Sequence, residues 1–294
     1  MTLANGFSES LADAVAAAQA SVVRVEARRR LPASGIVWSE MGYIVTANHV
    51  LRRDNGIRVG LADGTAVEAD LVGRDPSTDI ALLRVEASTL AAPALAGLDK
   101  VRVGTIVLAL GRPGASIQAT HGIISAKGLS FMGGKGDSLL QTDVLMYPGF
   151  SGGPLVDAAG SIIGLNSSAL MHGASVTLPH EMVSRAVVAL QEHGRVRRGY
   201  LGVSTQVVRL QEENRESLGQ KTGLLIVAIE PDSPADQGGL KIGDTIVKLG
   251  AETVRRHEDL LGALMQANLD EKTPVTIVRA GEVQTLNMQI GEQQ

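Results

Sequence analysis

From Ser21 to about Thr177, hydrophobic residues come in short runs or in strict alternation, and turn-forming residues separate the runs. In SVVRVEAR, Val23, Val25 and Ala27 fall on one face while Arg24, Glu26 and Arg28 fall on the other. That is the period of a half-buried strand. The same reading applies to GIVWS, GYIVTANHVL, IRVGLA, EADLVG, DIALLRV, TIVLALG, GIISA, LLQTD, GPLVD and SIIGLNSSA. About a dozen strands over roughly 160 residues predict an all-β barrel or a pair of barrels. SEMGY and DAAGS, each with glycine closing a polar tetrapeptide, predict hairpin turns.

The period then changes. PHEMVSRAVVALQEHG starts on Pro179, repeats Val183, Val187 and Leu190 on one face and stops at Gly194, which predicts a helix. After the basic RVRR, strands resume at YLGV, so the domain boundary is placed near residues 194–199. A unit over 1–194, ending in a linker helix, is followed by one over 195–294. In the latter GLLIVAI, DTIVKLG and PVTIVRA predict strands and HEDLLGALMQA a helix.

The chain of 294 residues is 44% hydrophobic and 20% charged, enough apolar matter for packed cores and too little charge for a disordered chain. Its net charge of −4, with one Trp, three Tyr and three Phe, argues against a nucleic-acid partner. The absence of cysteine excludes disulfides and thiolate metal sites, and no metal or other cofactor is expected. Ala158 to His180 lacks Asp, Glu, Lys and Arg, yet glycines cut it into short pieces, so no membrane span is expected. Read as a complete chain, MTLANGFSESLADAV has no basic n-region and predicts no secretory signal, which implies a cytoplasmic protein. Removal of an export segment would instead imply a periplasmic one.

Candidate chemistry centres on YPGFSGGPLV. A serine between glycines is commonly a turn residue, and Ser151 taken alone is read that way more readily than as a nucleophile. A serine nucleophile needs a base, and the base needs a partner. His49 ends a strand in GYIVTANHVL, and Asp79 stands in DPSTD just before an apolar run. The remaining histidines, His121, His172, His180, His193 and His257, sit in loops or near helix ends. The chain order His49, Asp79, Ser151 is that of chymotrypsin-like proteases, and this order disfavours an esterase.

TANHVL, DPSTDIALLRV, QTDVLMYPGFSGGPLVDAAGSIIGLNS, HGRVRRGYLGV and SPADQGGLKIGDTIVKL together resemble consecutive motifs of the HtrA (Deg) serine proteases. The resemblance implies a mainly β chain, a chymotrypsin-like double β-barrel over 1–194 followed by a PDZ domain over 195–294. It implies a catalytic Ser151, His49 and Asp79, with an oxyanion hole of the Gly149 and Ser151 amides. Phe150 departs from the Asn usual in the family at that position, which bears on the resting conformation of the loop. The ALMHGAS loop is shorter than in better-known members. By the same resemblance Leu145 and the strand GLNSSAL, with Leu165, Asn166 and Ser167, line an S1 pocket without an acid, suited to small or medium aliphatic residues. Tyr200, Leu201, Gly202 and Val203 form the loop that binds C-terminal peptides, with Arg197 or Arg198 as counter-charge. Unfolded or damaged proteins are the implied substrates and a homotrimer the implied assembly. The alternative is a non-catalytic peptide-binding or holdase protein with vestigial protease barrels.

Overall fold

Twelve of the strands close into two barrels, as the alternation predicts. The structure is a computed structural model that describes residues 3–28, 31–87, 90–130, 138–171 and 173–292. The chain divides into two compact units, the first over Met1–Leu129 and Ser138–Val196, the second over Arg197–Gln294.

In the first unit β1 (Val22–Glu26), β2 (Ala33–Val37), β3 (Tyr43–Ala47), β4 (Ile57–Gly60), β5 (Ala66–Asp75) and β6 (Ile80–Val85) form one closed barrel in the order β1-β2-β3-β6-β5-β4. The strands β7 (Ile106–Gly111), β8 (Gln118–Ser130), β9 (Ser138–Thr142), β10 (Pro154–Val156), β11 (Ile162–Ser167) and β12 (Ser175–Pro179) form the other. Its order, β10-β11-β12-β9-β8-β7, repeats that of the first barrel. Closure removes the unpaired strand edges that would invite aggregation. The first barrel encloses Val23, Ile44, Ile57 and Leu83, and the second encloses Val107, Ile124, Leu155 and Ile163. The two predicted hairpins are present, and Asp157 shapes the second by accepting from the amides of Ala159 and Ser161 at 2.9 Å each.

Two helices flank the barrels. The helix α1 (Leu3–Ala18) buries Ala14 and Ala18, and α2 (His180–His193) buries Val183, Val187 and Leu190. Pro179 precedes α2, and Gly194 ends it in the left-handed conformation with its amide on the Leu190 carbonyl. The junction of the barrels is tied by Arg112, just past β7. Its Nε donates to the Val22 carbonyl at 2.7 Å, Nη2 to Gln19 at 2.9 Å and Nη1 to Ala115 at 3.1 Å. Burial, with the Arg24 charge adding to it, pushes this guanidinium below its ordinary range.

In the second unit β13 (Gly199–Tyr200) pairs with β20 (Gly291–Glu292). A larger sheet runs β14 (Val203–Arg209), β15 (Thr222–Ile229), β16 (Thr245–Leu249), β18 (Lys272–Arg279) and β19 (Glu282–Gln289), with β17 (Glu252–Thr253) beside β16. The helices are α3 (Glu212–Leu218), α4 (Pro234–Gln237) and α5 (His257–Gln266). Leu224, Ile246, Leu264 and Ile277 form part of this unit's own core. Among the described residues β14 pairs only with β15, so one of its edges is open. Arg279 reaches the buried Asp244 through Nε and Nη2, both at 2.7 Å. Burial pushes the Asp244 carboxyl up, but the bonds from Arg279 and the Lys241 amide outweigh it and hold the group below the usual carboxylate value. No helix among the described residues is long and apolar enough to cross a membrane.

Candidate active site

The strand β3 ends at Ala47, and a single 3₁₀ turn over Asn48–Val50 carries His49 out of the barrel. Asp79 holds this turn from the β5–β6 connection. Its carbonyl accepts from the Asn48 amide at 3.0 Å, and its Oδ1 accepts from the His49 amide at 2.8 Å. Oδ2 accepts from the imidazole Nδ1 at 2.8 Å and from the Ser167 hydroxyl at 2.5 Å. Asp79 is only 2% exposed and has a positive φ of 57°, a backbone state an L-residue holds only when its surroundings enforce it. Asp75 shapes the same turn, with Oδ1 on the Ser77 amide and Oδ2 on the Thr78 hydroxyl.

Ser151 sits between the barrels, and its neighbours explain the glycines around it. At Gly149 φ is +99°, and a Cβ there would stand 2.6 Å from Pro113 Cβ. At Gly152 a Cβ would lie 2.2 Å from the Ser34 carbonyl oxygen and 2.4 Å from Thr46 Oγ1. Ser34, from β2, fastens the loop: its amide donates to the Ser151 carbonyl at 3.2 Å and its hydroxyl to the Gly149 carbonyl at 2.7 Å. The amide of Arg112 donates to that hydroxyl at 2.8 Å. The amides of Phe150, Gly152 and Gly153 are taken by backbone carbonyls, whereas among the described residues those of Gly149 and Ser151 donate no backbone hydrogen bond. Two donors are therefore free beside the Ser151 hydroxyl.

Phe150, the residue that departs from the family pattern, is fully buried in the second barrel. Its ring stands edge-on to Tyr147 at 5.9 Å, and it fills space that exists because residue 111 is glycine, where a Cβ would meet the ring at 2.7 Å. Its burial gives the loop an apolar anchor. Phe150→Ala should destabilise the first unit by about 3–5 kcal/mol, the usual cost of emptying such a site. An unchanged unfolding midpoint in urea would show that the ring anchors nothing.

His49 and Ser151 line one cleft of about 590 Å³ with Arg28, Leu31, Val50, Arg52, Met146, Tyr147, Pro148, Gly149 and Ser168. The Ser151 hydroxyl is within hydrogen-bond distance of the Ser168 hydroxyl, at 2.9 Å. Sequence reasoning missed Ser34 and the two arginines, and reached Ser168 only as part of GLNSSAL.

Leu145 is 58% exposed and stands outside the cleft lining, while Leu165, Asn166 and Ser167 are wholly buried. The reason is that β11 is covered on both faces: Asn166 bonds the Pro154 carbonyl and Thr177, and Ser167 bonds Asp79. Met146, Tyr147, Pro148 and Ser168 occupy the second-barrel side of the cleft instead.

In the second unit Leu201 is buried, and the Tyr200 hydroxyl donates to Glu230. Among the described residues the Leu201 and Gly202 amides donate no backbone hydrogen bond, while their carbonyls accept from Ala235 and Glu230. Val203 begins the open-edged β14, and His257 at the start of α5 lies against it, Nε2 to the Thr205 carbonyl at 2.9 Å. Arg197, expected as a counter-charge, is instead engaged by Glu292 and Asp270, and their hydrogen bonds raise its pKa. Of the ALMHGAS loop, His172 lies outside the described residues.

A trypsin-like peptidase domain model matches residues 33–165, and a PDZ domain model matches 199–290. The probable periplasmic serine endoprotease DegP-like of Pseudomonas fulva (strain 12-X) is 38% identical over 267 residues, covering 88% of this chain and 55% of that protein. That of Ectopseudomonas mendocina (strain ymp) is 36% identical over 264 residues, covering 88% and 56%. The chain thus spans a little over half the length of these curated relatives. Among solved structures, the HtrA-type protease AlgW with tripeptide superposes with a TM-score of 0.81 at 33% identity over 97% of each chain. The serine endoprotease from Yersinia pestis does so with 0.80 at 29% identity, over 97% of this chain and 98% of that one.

Proposed function

The chain belongs to the HtrA-type serine proteases, and from that premise we propose that it is an endopeptidase with Ser151 as nucleophile, His49 as general base and acid, and Asp79 as the orienting carboxylate. The observation that carries the reading is the buried Asp79 accepting the His49 Nδ1 proton beside a cleft that His49 and Ser151 share. With Nδ1 protonated, the neutral ring keeps its lone pair on Nε2, the form a general base needs. Attack requires the Ser151 hydroxyl to exchange Ser168 for His49 Nε2. The Gly149 and Ser151 amides then stabilise the tetrahedral oxyanion by about 3 kcal/mol per donor. His49 returns the proton to the leaving amine, and water repeats the sequence on the acyl-enzyme. A fluorophosphonate probe should label the chain at Ser151. Absence of label on the folded protein would leave the alternative of a peptide-binding protein with inactive barrels.

The second-barrel side of the cleft carries Met146 and Tyr147 and no carboxylate, which supports cleavage after small or medium aliphatic residues. Peptides with Val or Ala before the scissile bond should be cut faster than matched peptides with Arg, because a desolvated guanidinium finds no acid there. Preferred cleavage after Arg or Lys would overturn this.

The open edge of β14 and the free amides of Leu201 and Gly202 support peptide capture by strand addition, with the chain-terminal carboxylate on those amides. On the full chain, a peptide ending in a hydrophobic residue should bind about tenfold or more tighter than its C-terminal amide, since charge-assisted bonds are lost. Equal affinities would exclude this mode. Unfolded or damaged proteins are the substrates we assign, and casein turnover by the intact chain checks that class. The two curated relatives are named as probable periplasmic endoproteases; we assign the same compartment here, to be checked by osmotic-shock fractionation, and a homotrimer, to be checked by sedimentation equilibrium.

A further inference from the structure

The cleft has two walls of different chemistry. Met146 to Gly149 and Ser168 come from the second barrel, while Arg28, Leu31, His49, Val50 and Arg52 come from the first. In a chain of net charge −4, the first-barrel wall carries two guanidinium groups, and the cleft lining contains no acid. The two segments are joined by backbone: the Arg52 amide donates to the carbonyl of Ala27, the residue before Arg28, at 3.2 Å, and both arginines line the cleft. Arg28 is further held by its Nε on the Leu31 carbonyl at 2.6 Å. Among the described residues no carboxylate pairs with either side chain. A substrate carboxylate on this wall would meet two cations that share one cleft and gain charge-assisted bonds there.

The chemistry at Ser151 decides which part of a substrate meets this wall. The leaving amine must reach His49 to be reprotonated, so residues after the scissile bond run along His49, Val50, Leu31 and the arginines. We propose that Arg28 and Arg52 form a carboxylate-binding subsite for the first two or three substrate residues after the scissile bond, so that the enzyme favours sites followed by Asp or Glu. The proposal rests on the assignment of Ser151 and His49. A free chain terminus at the same distance offers the same carboxylate chemistry.

The test uses internally quenched peptides identical except for Glu or Gln at the second position after the scissile bond, each C-terminally amidated. A further pair, ending there as a free acid or an amide, isolates the contribution of a terminus. At low ionic strength the Glu peptide should have a kcat/KM about fivefold above the Gln peptide, carried mainly by KM, as for a partly exposed ion pair. The ratio should fall towards one in about 0.5 M salt. It should also collapse in the Arg28→Gln, Arg52→Gln double variant and shrink in Arg52→Gln alone, whose position is exposed. Only the ratio within each protein is read, so a general change in activity does not blur the result. A preference for the free acid without one for Glu would identify the chain terminus as the carboxylate read. No preference for either carboxylate in a protein that still takes the fluorophosphonate, or a ratio unchanged in the double variant, would overturn the subsite. A folded protein that takes no label and cuts no peptide would overturn the assignment of Ser151 and the subsite with it.

Discussion

Replacing Ser151 by alanine should lower kcat for casein or a quenched peptide by about 10⁶-fold, the scale seen when a serine protease loses its nucleophile. The substitution removes one hydroxyl whose hydrogen-bond partner is another hydroxyl, that of Ser168. The carbonyl of Ser151 and its bond from Ser34 are untouched, as are the glycine contacts of the loop. The unfolding midpoint should therefore stay within about 1 kcal/mol of the parent. Stopped-assay kinetics and a urea melt on the same preparation separate chemistry from folding. Turnover within a hundredfold of the parent would mean that another group attacks the substrate.

Asp79→Asn should cost about 10⁴-fold in kcat with a far smaller effect on KM, because the loss lies in the tautomer of the base. Both carboxylate oxygens face N–H donors, Oδ1 the His49 amide and Oδ2 the imidazole Nδ1. An amide has one acceptor, so either orientation sets an N–H against an N–H. The ring escapes by moving its proton to Nε2, where it can no longer accept from Ser151. Ser167 can accommodate the change, since its hydroxyl accepts as well as donates. A drop of less than tenfold would show that His49 does not depend on this carboxylate.

The polar side of the strands was the hardest to read. GIISA marked only the middle of the thirteen-residue β8, YLGV only the start of the polar β14, and β19 went unseen as a strand. Partner strands supply their hydrogen bonds, so an apolar signal is not required for pairing. The helix α1 was missed for a related reason: its alanines bury little area individually and give a weak stripe, although Gly160 packs closely on Ala14 and Ala17. The helix α2 was legible from end to end because its start, apolar face and glycine stop are signals within one short segment.

The candidate site divides along the same line. Periodicity, turn chemistry and the motifs around His49, Asp79 and Ser151 are properties of a few neighbouring residues, and by themselves they determined the double-barrel class, the helix between the units and the likeness to HtrA proteases. The tertiary structure alone decided which residues meet across the chain. Ser34 holds the Gly149 carbonyl across 115 positions, and Ser167 reaches Asp79 across 88. Leu145 turned outward, Ser168 took a place on the cleft, and Arg28 and Arg52 came to line one cleft, their segments joined by a backbone bond between Ala27 and Arg52. Local pattern specifies how a segment folds because side-chain periodicity and backbone preference act over one or two turns. Barrel closure brings distant segments into contact, and that closure is what set the walls of the cleft.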